Sequence, residues 1–322
     1  MNSIKFNLLP AQEYYEELLH RIPEAKNRIV IHSMIVNWQP MTERLVPTLI
    51  NALNSGVTVD IVGDAFTWFG IKNRAKWPHT SSINRKLMGY GADVTYVGKL
   101  WVNPFAGRCH SKITLVDDDV YSFGGVNFSD TQFGMHDFML HCHDSKIADQ
   151  LFGIVKEIAL EKPMLNIQKP LDSQTELLFD SGKKRDSIIY KTACQMVAQA
   201  KKVYLVSQYP PSGELATLLR RTNSQCYFDR PEQAAFPDNA SIVFDTIKGR
   251  LHNLYRGETY IHAKFILCEN ADGSKHLVTS SNNFSWRGVA FGTKEIAIYS
   301  SDEKLWQALY DFLQERVIGA AK

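Results

Sequence analysis

The chain has 322 residues, 44% hydrophobic and 22% charged, a globular composition with room for about two ordinary domains or two similar halves of one. A formal net charge of +2 excludes a global attraction to nucleic acid, so any basic patch is local. Five scattered cysteines (Cys109, Cys142, Cys194, Cys226 and Cys268) with no CxxC pair argue against a disulfide framework or a zinc site, and for reduced thiols in a cytoplasmic setting. The N-terminal stretch lacks the apolar core of a secretion signal, and no segment approaches the roughly 18 apolar residues of a membrane span. A membrane role is therefore expected to be peripheral, on the inner face.

In chain order, an amphipathic stretch over Tyr14–Ala25 leads into an apolar strand, Arg28–Val36. A helix is expected over Met41–Asn54, with Leu45, Leu49, Ala52 and Leu53 at helical spacing and Gly56 where a C-cap belongs. Val57–Val62 then reads as a buried strand. The stretch Glu161–Glu176, polar with two prolines, reads as a linker. Beyond it the pattern repeats: a helix over Ile188–Ala200, a strand over Lys202–Ser207, a helix over Gly213–Arg221 and a strand near Cys226–Phe228. This alternation predicts an α/β chain of two halves, 1–165 and 174–322, each a mixed, mostly parallel sheet flanked by helices.

Each half also carries the same composite motif. In the first, His110-Ser111-Lys112 is followed by Asp117, then Gly124-Gly125-Val126-Asn127, then Asp137. In the second, His262-Ala263-Lys264 is followed by Glu269, then Ser280-Ser281-Asn282-Asn283, then Glu295. Histidine and lysine two apart on an extended segment share a face, so His110 with Lys112, and His262 with Lys264, point into one site. Ile113 and Leu115, like Ala263, Phe265 and Leu267, pack behind. The small residues at 124–125 and 280–281 allow the backbone to approach a ligand closely. Asn127 and Asn283 add amide donors.

One complete motif would carry little weight; two copies with matched spacing are specific. Neutral imidazole can attack phosphorus to form a phosphohistidine. A second, protonated histidine can donate to the leaving alkoxide and then deprotonate water or an alcohol. Two lysines and two asparagines can hold the equatorial oxygens. Asp137 and Glu295, 10 and 12 residues after their asparagines, can each accept the far N–H of a histidine and fix its tautomer. No step requires a metal or cofactor.

These residues resemble the phospholipase D superfamily, whose signature is His-x-Lys-x4-Asp followed by Gly-Ser-x-Asn. Ile61–Gly63, Gly91–Tyr96, Gly107–Lys112, Gly124–Asn127 and His136–Phe138 are most similar to bacterial cardiolipin synthases. The resemblance implies two halves facing each other across one active-site cleft, with His110 as nucleophile and His262 as acid and base. It also implies phosphate binding by Lys112, Lys264, Asn127 and Asn283, with Gly125 and Ser281 beside them, and structural roles for Asp117 and Glu269. Gly125 and Ser280 depart from Gly-Ser. The expected substrate is a phospholipid with an alcohol or water as acceptor, and a monomer suffices because both motifs lie in one chain. A nuclease of the same superfamily and a catalytically silent membrane- or nucleic-acid-binding module are the competing readings.

Other features divide between chemistry and packing. His141-Cys142-His143 reads as alternating strand residues rather than a metal site. His32 and Tyr209, near strand ends, are candidates for substrate contact. Trp68, Phe69 and Trp77, interleaved with Lys72, Arg74 and Lys76, and Trp101 before the first motif, suit a membrane interface.

Overall fold

The computed structural model describes residues 3–65, 82–98, 107–233, 242–243, 246–247 and 249–319. They build two seven-stranded sheets. The first contains β1 (Asn7–Pro10), β2 (Arg28–Ser33), β3 (Thr58–Asp64), β4 (Asp93–Val97), β5 (Ile113–Val116), β6 (Asp119–Ser122) and β7 (Phe138–His143), in the order β1-β7-β6-β5-β2-β3-β4. The second contains β8 (Ile167–Pro170), β9 (Thr175–Ser181), β10 (Ala200–Ser207), β11 (Asn223–Phe228), β12 (Phe265–Asn270), β13 (Lys275–Ser280) and β14 (Lys294–Ser300), in the order β11-β10-β12-β13-β14-β9-β8. Reversing the second list superimposes β10 on β2, β11 on β3 and β12–β14 on β5–β7, so the sequence repeat is a structural repeat.

The sheets are mixed, but they are not the mostly parallel sheets that the helix–strand alternation predicts. Only β2–β3, β3–β4 and β10–β11 run parallel; the remaining neighbours are antiparallel. The cause is only partly local. Short turns account for β5–β6, β8–β9 and β12–β13, since a short turn can only make an antiparallel pair, and the other antiparallel neighbours are strands farther apart in the chain. The stretch read as linker carries β8 and the start of β9. The expected helix over 41–54 is two, Pro40–Glu43 and Val46–Asn54, with Pro47 in the opening turn of the second, where its missing N–H costs nothing. Gly56 ends that helix at φ +85°, and the N–H of Val57 returns to Ala52 O at 3.0 Å, as a left-handed cap requires.

Helix Ser145–Ala159 begins where Asp144 accepts the N–H groups of Lys146 and Ile147, and buries Ile147, Leu151, Ile154, Val155 and Ile158 along one stripe. Helix Glu303–Phe312 is capped the same way by Asp302 and buries Leu305, Trp306, Leu309 and Phe312. These two helices and both sheets share a single central core. There the Phe138 ring lies 5.9 Å from Phe265 and 5.2 Å from Phe312. The outer face of each sheet packs separately against the helices that precede and connect its parallel strands. A core drawn from both halves makes their relative position part of the fold. All five cysteines are buried and free. Among the described residues no helix is long and apolar enough to cross a membrane.

Candidate active site

Both histidine motifs lie just ahead of a strand, β5 or β12, in extended segments that pair with the opposite half. Arg108 O accepts from Lys294 N at 2.8 Å, and His110 N donates to Lys294 O at 2.8 Å. In the mirror arrangement Tyr260 O accepts from His136 N at 3.0 Å, and His262 N and Ala263 N both donate to His136 O at 3.0 Å. Lys294 and His136 each immediately precede a motif carboxylate. The stitching therefore delivers each histidine to the carboxylate of the other half. His110 Nδ1 lies 3.1 Å from Glu295 Oε2 and 2.9 Å from Ser281 O. His262 Nδ1 lies 2.7 Å from Asp137 Oδ2. A proton on Nδ1 leaves each Nε2 as the reactive nitrogen, and among the described residues neither Nε2 has a hydrogen-bond partner.

Burial dominates the electrostatics. It pushes the His110 and His262 pKa values below the ordinary 6.5, so both imidazoles are neutral at rest. Burial would raise Asp137 and Glu295, but the histidines and lysines facing them hold both carboxylates below their usual range. Lys112 and Lys264 are 1% and 0% exposed. Burial lowers them to about 8 and about 7. Each ammonium donates to the carbonyl of its own histidine, Lys112 Nζ to His110 O at 2.6 Å and Lys264 Nζ to His262 O. Histidine and lysine thus share one side, as their spacing requires.

The small residues serve the protein itself. A Cβ on Gly125 would sit 2.6 Å from Asp137 Oδ2 and 2.7 Å from His262 O, and Gly125 N donates to Asp137 Oδ1 at 3.2 Å. At the matching position Ser281 Oγ donates to Glu295 Oε2 at 2.5 Å. The missing hydroxyl at Gly125 therefore makes room for a carboxylate, and the hydroxyl of Ser281 is spent on one. The asparagines differ as well. Asn127 Oδ1 accepts from Ser33 Oγ and Ile35 N, and its Nδ2 donates to Gln132 Oε1 at 3.1 Å. Asn283 is held through its backbone, whose carbonyl accepts from Ser207 Oγ at 2.9 Å. Its buried Oδ1 has no partner.

Asp117 accepts the N–H groups of Lys26, Asn27 and Arg28 and so pins the entry to β2. Glu269 lies opposite Lys202 and Lys275 in the sheet. His32 does not reach the cleft. It is 1% exposed, with Nδ1 3.1 Å from Val62 O and Nε2 2.8 Å from Ser111 Oγ, and burial lowers its pKa to about 4. Tyr209 is half-buried just beyond β10. His141 and His143 both contact Asp119 while Cys142 points into the core. Among the described residues no group of three His, Cys, Asp or Glu is placed to hold a metal. Trp68, Phe69, Trp77 and Trp101 lie outside the described residues.

Two carboxylates escaped the motif reading. Asp64, closing β3, accepts Cys109 N at 2.7 Å and pairs with Arg108 at 3.0 Å. Asp229, just after β11, accepts Ile261 N at 2.7 Å. Each fixes the residue immediately before a site histidine. Superimposing the two repeats reveals them, since both follow equivalent strands.

Residues 18–158 match the family described as cardiolipin synthase, PLD-like domain. No curated protein matches the chain. Among solved structures it is similar to the phosphatidylserine synthase of Haemophilus influenzae Rd KW20, with a TM-score of 0.69 at 16% identity over 96% of this chain and 84% of that one. It is also similar to the polyphosphate kinase of Porphyromonas gingivalis, with a TM-score of 0.64 at 14% identity over 96% of this chain but 46% of that one. A yeast tyrosyl-DNA phosphodiesterase gives 0.51 at 12% identity over 94% and 91%. The family match lies in the first half, and the fold is shared with these structures over nearly the whole length of the chain.

Proposed function

We propose that the chain is a phosphatidyltransferase or phospholipase that works through a phosphohistidine and needs no metal. The observation that carries this reading is the crossed arrangement His110–Glu295 and His262–Asp137, which supplies a nucleophile and a proton carrier, each in a fixed tautomer. His110 Nε2 attacks phosphorus while Glu295 and Ser281 O hold its Nδ1 proton. The phosphate brings negative charge beside His262 and favours its protonation, and Asp137 at 2.7 Å stabilises the imidazolium. His262 gives that proton to the departing alkoxide as the P–O bond breaks. Neutral His262 then removes a proton from water or an alcohol, which attacks the phosphohistidine and releases His110. Lys112 and Lys264 offset the charge on the equatorial oxygens, and Asn283 offers its amide to them.

The test is mass spectrometry of products after incubation with phosphatidylglycerol vesicles in EDTA, with His262→Ala as control. Cardiolipin made only by the unmutated protein is the expected outcome for a transferase, and phosphatidic acid for a hydrolase. Loss of turnover on chelation would sink the metal-free scheme. No lipid product together with cleavage of DNA would replace the lipid reading with a nuclease.

A further inference from the structure

A basic surface adjoins the candidate active site, formed by the loop after β9, with half-buried Lys294 at the start of β14 behind it. The loop contains Gly182-Lys183-Lys184-Arg185, and Lys183, Lys184 and Arg185 are exposed. It lies directly against the second motif's flank. Arg185 N donates to Val289 O at 2.7 Å, and a Cβ on Gly182 would meet Lys294 Cγ at 3.1 Å. Lys294 O in turn accepts from His110 N at 2.8 Å. Lys183 and Lys191 share Asp186, at 3.3 and 2.7 Å. Among the described residues Lys184, Arg185 and Lys294 have no ion pair. Helix Trp286–Phe291, beside the loop, exposes an aromatic at each end, Trp286 at 43% and Phe291 at 42%.

We infer that this surface docks the protein onto an anionic phospholipid bilayer, a step that rests on the lipid reading above. The chain's net charge of +2 gives no general attraction to anions, so the cation excess beside His110 is local. It is also compact, three exposed cations on one loop, which matches headgroups rather than the long track that a nucleic-acid strand requires. Exposed aromatics beside cations are the side chains that settle at a membrane–water boundary. Docked there, the protein would present His110 to headgroups without extracting a whole lipid into water.

The experiment is co-sedimentation with phosphatidylglycerol and phosphatidylcholine vesicles, comparing the unmutated chain with Lys184→Gln/Arg185→Gln. Both side chains are exposed, so an unchanged Tm checks the fold. We expect preference for the anionic vesicles and a loss of about 25-fold in the double variant, about fivefold per charge. Equal binding by the two proteins, or equal binding to both vesicles, would overturn the inference. So would a loss confined to single-stranded DNA binding. The anionic preference and its loss in the variant, without any lipid product, would leave this surface standing and remove the lipid-enzyme reading. Lipid turnover with unaltered vesicle binding would do the reverse.

Discussion

The two halves place equivalent strands under equivalent histidines, yet they support those histidines differently. His262 leans on one carboxylate, Asp137, at 2.7 Å, and that carboxylate is held by the backbone N–H groups of Gly125 and Phe138. His110 divides its Nδ1 proton between Glu295 and Ser281 O, and Glu295 is held by a hydroxyl. Beneath them, Asp64 has Arg108 as a cation. Asp229 has a tyrosine at the matching position, and burial raises its pKa to about 8. A duplicated scaffold thus keeps its geometry while its second layer of contacts diverges. On the mechanism proposed above, that divergence separates the nucleophile from the proton carrier.

The sharpest way to break this comparison is to neutralise each carboxylate. Asp137→Asn should cost about 10³-fold in kcat, because an amide in the place of the carboxylate no longer stabilises the imidazolium. Glu295→Gln should cost about 10²-fold, because Ser281 O still accepts from His110. Equal losses in steady-state kinetics would mean that the halves are equivalent after all. Exchanging the small residues comes next. Gly125→Ser should destabilise the fold by about 2 kcal/mol through overpacking against Asp137, read as a fall in Tm. Ser281→Gly should leave Tm nearly unchanged and lower kcat about tenfold by freeing Glu295. A well-folded, active Gly125→Ser protein would refute the steric account. The smallest effect is the pH profile. Lys264, lowered to about 7, and Lys112, lowered to about 8, lose charge as pH rises. The value of kcat/KM should therefore decline above pH about 7, and its acid limb should lie below 6.5 because burial lowers His110. A flat profile to pH about 9 would show that the ammonium charges are not needed.

Much of the site was legible because its signals are local. His-x-Lys spacing on an extended segment fixes which side chains share a face, and two copies made the reading specific. The crossed pairing was not legible, since each carboxylate follows the histidine of its own half in sequence but meets the histidine of the other. Only the stitching of Lys294 to Arg108 and His110, and of His136 to Tyr260 and His262, decides the partner. Gly125 read as a place for a ligand to approach; its empty side is filled instead by Asp137 and the His262 carbonyl. The strand direction failed for a related reason. Helices alternating with β2, β3, β10 and β11 dominate the pattern, whereas most antiparallel pairs join strands far apart in the chain and leave no local trace.

The crossed pairs make the chemistry a coincidence detector for folding. A half that has folded alone holds a histidine without its carboxylate and a carboxylate without its histidine. On the proposed mechanism, a nascent or truncated chain is thereby kept from cutting phosphodiesters before its second half is in place, and the two Nε2 atoms come into register only when assembly is complete.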